Sequence, residues 1–547
     1  MAAQSHVLIL PPSLQSLSSP AVIMPDAGSG SFTAMSYAQL TTLTCLLQKS
    51  LAKLGITRAS KVALVLPNGI EFVAVFLAAV RQRAIAAPVN PQFTKNEYSD
   101  IFSMMQPDLV ITVVASPSHN NTYSHAPAVL AAQEQGFPVA LCCRSNKEDP
   151  VLQISLDLIG GDTGTATATT PSAVFSRNEV ESEDKALLLF TSGTTGKPKS
   201  VLLSHTNLLV AMRIIIAAHK LSAEDRCLII TPLCHVIGIG GSLLTTLFTG
   251  GCTVIPPSLP GAFWQCCADF GITWYHAVPT LHRLLISFPR PNGIMPPTLR
   301  FIRCGGSDMP PDLYDGLQSL GLPVLEVYGM TESAPAIFCN RLEEEDDTRA
   351  RKLAHYPIAD AVEVMILPLA EALRQSNIGI SGAATTDHNA LSMLTKEPGV
   401  IGEVCLRGKS IMSGYTNNPT ANTEAFLANG YFRTGDLGAI QPQQRLIISG
   451  RVKEIINKAG EKISPAEIEH VALTHGGVKE AACFRVPDKM YGECIGLAVV
   501  IRAESGQVTA ADIKKHFRKN AALFKTPDKD WKTEKNLHCG AVFTRFT

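Results

Sequence analysis

Leu187-Leu188-Leu189-Phe190-Thr191-Ser192-Gly193-Thr194-Thr195-Gly196-Lys197-Pro198-Lys199 is the stretch that decides how this chain reads. An apolar strand runs into a loop of glycine and hydroxyl residues that ends in two lysines. Such a loop suits phosphate: glycines let the backbone approach and turn its N–H groups inward, hydroxyls add donors, and lysines add charge. The Walker loop is excluded, since it needs Ser or Thr after its lysine and a wider glycine spacing, and here Pro198 follows Lys197. A flexible surface turn is the bland alternative for a lone glycine-rich loop. The length and order of this one favour a phosphate cradle.

Outward from the loop, short apolar strands alternate with helical patterns. Lys61 to Leu66 reads as a strand closed by Pro67-Asn68-Gly69, Ile70 to Arg81 as a helix, and Ala84 to Val89 as a strand. Tyr98 to Met105 is helical and Asp108 to Val114 a strand. This rhythm predicts α/β layers with largely parallel strands. Three segments break it. Gly160 to Glu183 reads as a mobile linker loop, Arg341 to Arg351 as a solvated charge run, and Gln375 to Pro398 as an inserted surface segment. Gly402 to Arg407 and Arg445 to Ile448 suggest a small β-rich subdomain before a boundary near Ser449-Gly450.

The chain has 547 residues, 46% hydrophobic and 17% charged, a globular balance. Lys+Arg and Asp+Glu are both 47, so nothing favours nucleic acid as the main partner. Fourteen cysteines are too sparse for a disulfide scaffold and lack zinc spacing, so reduced thiols in an intracellular protein are expected. Val7-Leu8-Ile9-Leu10 is too short an apolar run for a signal peptide. Cys227 to Ala268 carries no Asp, Glu, Lys or Arg, and a hydropathy window would flag Ile237 to Val254. Its prolines and glycines predict instead a buried helix, a Gly250-Gly251 turn and a buried strand from Cys252 to Ile255, not a transmembrane segment.

Further motifs follow in order: Pro232-Leu233-Cys234-His235-Val236-Ile237-Gly238; Trp274-Tyr275-His276-Ala277-Val278-Pro279-Thr280 with Cys304-Gly305-Gly306-Ser307; Glu326-Val327-Tyr328-Gly329-Met330-Thr331-Glu332-Ser333; and Tyr431-Phe432-Arg433-Thr434-Gly435-Asp436-Leu437-Gly438 with Gly450-Arg451-Val452-Lys453-Glu454. Last comes Asn457-Lys458-Ala459-Gly460-Glu461-Lys462-Ile463-Ser464-Pro465. Singly, each has an ordinary reading: a core histidine, packed aromatics, a strand and helix cap, an Asp436–Arg451 ion pair. In this order they resemble the adenylate-forming (AMP-binding) superfamily over about residues 30 to 527, and the wording around Glu461 and Trp274 resembles the fungal and plant oxalyl-CoA-synthetase-like branch.

The resemblance implies a large N-terminal domain of layered sheets and helices, residues 1–449, with the β-rich subdomain at about 340–449. A small mobile C-terminal α+β lid, residues 450–547, would follow. It implies ATP, Mg²⁺ and CoA as cofactors. Thr191, Ser192, Gly193, Thr194, Thr195, Gly196, Lys197 and Lys199 would cradle phosphate. Tyr328 and Gly306 would face adenine, Thr331 the α-phosphate, and Glu332 the metal. Asp436 and Arg451 would hold ribose, Lys453 would mark the hinge, and Lys458 and Gly460 would face the pantetheine arm. His235 would line the acyl carboxylate. His276 is polar where an apolar wall would suit a fatty chain, which hints at a small or polar acid, such as a di- or tricarboxylate or a polyketide-derived acid.

One departure matters for activity. After Pro527 the family pattern leads into a Gly-Lys whose lysine bridges the acyl carboxylate and the nucleotide. Here the chain reads Asp528-Lys529-Asp530-Trp531-Lys532-Thr533-Glu534-Lys535, as if frameshifted or misspliced, and no peroxisomal Ser-Lys-Leu ending is seen. Lys529, Lys532 and Lys535 are differently spaced substitutes. The function expected is an ATP-dependent acyl-CoA ligase in the cytoplasm, or in the peroxisome with a different tail. The alternatives are a nucleotide-binding pseudoenzyme without adenylation and an adenylation enzyme that loads a carrier protein.

Overall fold

A computed structural model describes residues 7–26, 31–113, 126–144, 154–159, 173–176, 179–191, 198–256, 262–307, 309–342, 361–376, 392–442, 445–459, 461–502, 505, 508–532 and 544–545. The chain divides into two compact units: Met1–Glu363 with Gly408–Asn422, and Val364–Arg407 with Thr423–Thr547. The residue 449/450 boundary expected from the sequence lies inside the second unit.

The first unit holds two sheets. Among the described residues one runs Ile154–Leu158, Val139–Arg144, Leu109–Val113, Lys61–Val65, Ile85–Pro88, Lys185–Thr191, Lys199–Ser204. Its inner strands are parallel and both edge strands antiparallel. The other runs Phe338–Cys339, Val324–Tyr328, Phe301–Gly305, Trp274–Ala277, Arg226–Leu228, Cys252–Val254, Pro20–Pro25, Phe32–Ser36, again parallel inside. Parallel strands need helical crossovers, and the apolar runs between them supply these. The predicted helix forms at Ile70–Arg81; ten of its twelve side chains are buried, which explains why it is apolar on every face.

The charge-free stretch folds as read. Ile237–Leu244 is a π-helix, Thr245–Thr249 continues it, Gly250 turns the chain at φ +87°, and Cys252–Val254 is a buried strand. Only glycine takes that turn cheaply. Among the described residues no helix is long and apolar enough to cross a membrane. The described part of the expected linker is tied down. Gln82 Nε2 donates to the Ala173 carbonyl, Gln48 Nε2 to that of Phe175, and Val180 is buried beside Val7 and Ile9. Residues 160–172, 343–360 and 377–391, which cover most of the three irregular segments, lie outside the described residues.

In the second unit, Val362–Pro368, Gly402–Gly408, Phe432–Gln441 and Arg445–Arg451 form a four-stranded sheet, the β-rich part that the sequence predicts. Beyond it, strands at Ile456–Lys458, Glu461–Ile463, Val478–Asp488 and Gly492–Ile501 pack with helices Pro465–Leu473 and Ala510–Asn520 around Ile463, Ile468, Leu497 and Phe517. Lys529–Lys532 adds a strand parallel to Gly492–Ile501.

Candidate functional site

Ser192, Gly193, Thr194, Thr195, Gly196 and Lys197 lie outside the described residues, as does Gly460. The loop's two ends are fixed. Thr191 and Lys199 are antiparallel partners, and Thr191 Oγ1 donates to the Lys199 carbonyl at 3.5 Å.

Glu332 sits on the short helical turn Thr331–Ser333, after the strand Val324–Tyr328. Gly329 just before it is obligatory: a Cβ there would lie 1.8 Å from the Pro335 carbonyl oxygen. Tyr415 Oη donates to Glu332 Oε1 at 2.8 Å, and the Met412 N–H donates to the Glu332 carbonyl at 2.8 Å. The Tyr415 ring carries Lys199 Nζ 4.7 Å from its centre, a cation–π contact. Tyr415 thus joins the predicted phosphate-loop lysine to the predicted metal ligand. Burial and then the Glu332 carboxylate push its phenol well above the usual range, so it stays a donor. The segment bearing Tyr415 is tied down by Asn207 Nδ2, which donates to the Lys409 and Ile411 carbonyls at 2.8 and 3.0 Å. Asn207 closes the capping box of helix His205–His219, so that cap also positions Tyr415. Neither Tyr415 nor Asn207 stood out in the sequence; a buried hydroxyl in a Gly-Tyr pair was the available signal. Tyr328 is half-buried, its ring 6.1 Å from Phe338.

The acyl-wall segments meet on one face of the larger sheet. His235 is exposed, at the entry to the π-helix. Gly306, at φ +91°, leaves room beside Ile237 Cδ1 and Val278 Cγ1, each 3.3 Å from where a Cβ would stand. His276 and Arg303 are direct cross-strand partners, so their side chains share a face. Both are 1% exposed. Arg303 Nε donates to His276 Nδ1 at 3.0 Å, Nη2 donates to the Gly241 carbonyl at 2.5 Å, and the guanidinium lies 4.9 Å from the Trp274 ring centre. Burial pushes Arg303 down to about 10, which leaves it charged at neutral pH. Burial, then the neighbouring Arg303 cation, holds His276 far below its ordinary value and neutral. Nothing in Phe301-Ile302-Arg303-Cys304 announces a buried arginine.

In the second unit Asp436 is 5% exposed and pairs with Arg451 Nε at 3.1 Å across the strand pair Phe432–Gln441 and Arg445–Arg451. Glu403 aims this turn: one carboxylate oxygen accepts from Arg433 Nε and Nη2 at 2.9 and 2.7 Å, the other from the Gly435 N–H at 3.0 Å. Lys453 is exposed on the turn Val452–Glu454. Lys458 is engaged locally, its Nζ 2.7 Å from Asp528 Oδ1 and 3.1 Å from the Phe524 carbonyl.

Among the described residues no three His, Cys, Asp or Glu gather as a metal-only cage. Mg²⁺ is held by one or two carboxylates together with substrate phosphates. Glu332, with one oxygen fixed by Tyr415, suits that duty. A cleft of about 420 Å³ lined by Ser182, Glu183, Lys185, Thr206, Arg213 and Lys409 contains none of these residues.

Comparison with known proteins follows the same lines. The AMP-binding enzyme family matches residues 15–416, and the AMP-binding enzyme C-terminal domain matches residues 467–535. An acyl-CoA synthetase of Gibberella moniliformis, FUM10, is 56% identical over 96% of this chain and 94% of its own. Acyl-CoA synthetase ALT10 of Alternaria alternata is likewise 56% identical over 96% and 94%. An oxalate–CoA ligase of Arabidopsis thaliana is 35% identical over 88% of this chain and 86% of its own. The ATP-bound structure of MatB from Rhodopseudomonas palustris shares the fold at 23% identity and a TM-score of 0.75, covering 95% and 94% of the two chains. The order of the motifs, the paired sheets and these likenesses agree: the chain belongs to the AMP-binding enzyme family and is an acid–thiol ligase of the acyl-CoA synthetase type.

Proposed function

We propose that this chain activates a small or polar carboxylic acid in two steps and serves fungal secondary metabolism. The acid's carboxylate oxygen attacks the α-phosphorus of ATP, and pyrophosphate leaves. The CoA sulfur then attacks the acyl carbon, and AMP leaves. The protein supplies position and charge rather than covalent chemistry. The observation that carries this reading is the Lys199–Tyr415–Glu332 chain, which fixes a carboxylate near the strand that follows the glycine-rich segment. When bound, Mg²⁺ would offset phosphate charge at Glu332. Thr331 is read as the α-phosphate donor. Asp436 is read as the ribose acceptor, exchanging its Arg451 partner for hydroxyl donors. Relatives named for oxalate and sulfoacetate support a small anionic acid over a fatty one. The cytoplasm is the proposed compartment, on the ground that the described cysteines are all unbridged; cell fractionation checks it.

A second reading has one sequence observation behind it. Residues 528–547 contain no Gly-Lys, so adenylation would be slow while thioester formation proceeds. Two assays separate the readings. Synthetic acyl-AMP with CoA should give thioester; acid, ATP and CoA should give it slowly, and grafting a family-type ending after Pro527 should speed that arm. If the ungrafted chain adenylates as fast as the grafted one, another lysine serves. If neither arm yields thioester, the ligase assignment falls, and transfer to a carrier protein instead of CoA would point to the loading enzyme.

A further inference from the structure

Arg303 is a fully buried cation that no carboxylate among the described residues neutralises. Its partners are an imidazole, a backbone carbonyl and an indole face. An isolated charge in that setting is costly and is kept in folded proteins when something offsets it. Two further observations show what is missing. Arg303 Nη1 has no hydrogen-bond partner, and neither has His276 Nε2. A guanidinium only donates, so His276 Nδ1 must accept from Arg303 Nε. The single proton of the neutral ring therefore sits on Nε2. Both unpartnered atoms are N–H donors, on adjacent strands and on one face, beside a positive charge. Donors without an acceptor next to an uncompensated cation specify an anion.

The surroundings say which anion. The Arg303 guanidinium is held by Gly241 of the π-helix that follows His235, and a Cβ at position 241 would lie 2.9 Å from Nη2. On the same strand end, a Cβ at Gly305 would stand 2.5 Å from Val327 Cγ2 and 3.5 Å from His276 Cε1, and one at Gly306 would stand 3.3 Å from Ile237 Cδ1 and Val278 Cγ1. The family resemblance places the acyl carboxylate beside the first of these segments and walls of the acyl pocket and adenine slot on the other two, and glycine lets their backbones close on the cation. Pro335 and Ile237 stand beside Gly241, and Trp274 lies against the guanidinium, so the surroundings of the cation are apolar.

We propose that Arg303 and His276 bind a second carboxylate of the acid substrate, so that the chain selects short di- or tricarboxylic acids. The carboxylate to be activated stays at the His235 end, and the distal one is received by Nη1 of Arg303 and Nε2–H of His276. This rests on the ligase reading, because it uses the acyl wall of that reaction.

Binding of stable acyl-adenylate mimics tests it without relying on turnover. Succinyl- and glutaryl-sulfamoyladenosine are compared by calorimetry with the butanoyl and pentanoyl analogues, and with AMP. At least one free-carboxylate mimic should bind the parent chain about 10–100-fold tighter than its methyl-ended counterpart, the worth of a charge-assisted hydrogen bond. Arg303→Met should erase that preference while AMP binding is retained. Arg303→Lys should keep part of it, and His276→Phe should reduce it several-fold with the ring volume preserved. If Arg303→Met does not fold, as lost AMP binding would reveal, the lysine and phenylalanine variants carry the test. Equal affinities for both series in the parent overturn the proposal, as does a preference that survives in all three variants. Absence of AMP binding by the parent would instead overturn the ligase reading, and this inference with it.

Discussion

Two buried arginines of the first unit are held in opposite ways. Arg83 Nε and Nη2 grip both oxygens of Asp184 at 2.8 and 3.1 Å, and Nη2 also reaches Glu181 at 2.8 Å. Arg83 keeps this network at a φ of +60°, a backbone cost that the surrounding bonds outweigh. Arg303 has an imidazole, a carbonyl and an indole, and no acid. The contrast separates two uses of a buried charge. A saturated ion-pair network holds structure and has nothing left to offer a ligand. An unsaturated cation with spare donors does little for the resting fold and is kept for something that arrives.

The largest effect expected from this contrast is on stability. Arg83→Met strips Asp184 of its main partner and should cost about 3–5 kcal/mol. Arg303→Met loses the bonds to His276 and Gly241 and the Trp274 contact but strands no buried charge, and should cost less, about 1–3 kcal/mol. Urea unfolding of both variants gives the comparison directly, and equal losses would break it.

Acidification should distinguish the same two regions by where it acts. His282 donates through Nε2 to the Arg303 carbonyl at 3.1 Å, and burial lowers its pKa from 6.5 to about 4. The fold favours the neutral ring, so this contribution is complete above pH 6.5 and is lost as pH falls through 4; about 3 kcal/mol is at stake. Asp184 works in a lower window. Burial raises its pKa, but the Arg83 bonds and the Glu181 N–H outweigh burial and bring it below its ordinary 3.8. Its contribution therefore persists until pH falls below that value. Melting temperatures across pH should show two acid limbs, the upper reduced by His282→Gln, with buried His205, also lowered to about 4, supplying the rest, and the lower reduced by Arg83→Met. A single limb shared by both variants would contradict the assignment.

The smallest effect belongs to Glu332, a charge positioned by a neutral hydroxyl. Tyr415→Phe should leave unfolding unchanged and slow ATP-dependent pyrophosphate release about tenfold, with a rise in the Mg²⁺ needed for half-maximal rate. Rates and Mg²⁺ dependence equal to the parent's would show that Tyr415 packs without positioning.

Much of the fold was legible because it rests on local pattern. The helix Ile70–Arg81 and the helix–turn–strand from Ile237 to Val254 follow from apolar runs punctuated by glycine. Tyr328 ends its strand, Glu332 sits on the turn that follows, and Asp436 lies within the strand Phe432–Gln441. What stayed illegible depends on distant partners. Arg303 is adjacent to His276 only through strand register, Tyr415 reaches Glu332 across 83 residues, and Glu403 meets Arg433 across an antiparallel strand pair 30 residues apart in sequence. The linker reading missed the hold on residues 173 and 175, because the donors come from Gln48 and Gln82, far upstream.

The peptide Gly408–Asn422, which carries Tyr415, belongs to the first unit although residues 364–407 before it belong to the second. During synthesis the ribosome releases Glu332 long before Tyr415, and part of the other unit emerges between them. The first unit cannot be completed in a single uninterrupted pass of translation, because its finishing piece is delivered late. No single cut in the chain separates the two bodies intact. Any exchange of parts between relatives that is to keep Lys199, Tyr415 and Glu332 matched must move that short peptide together with the N-terminal body.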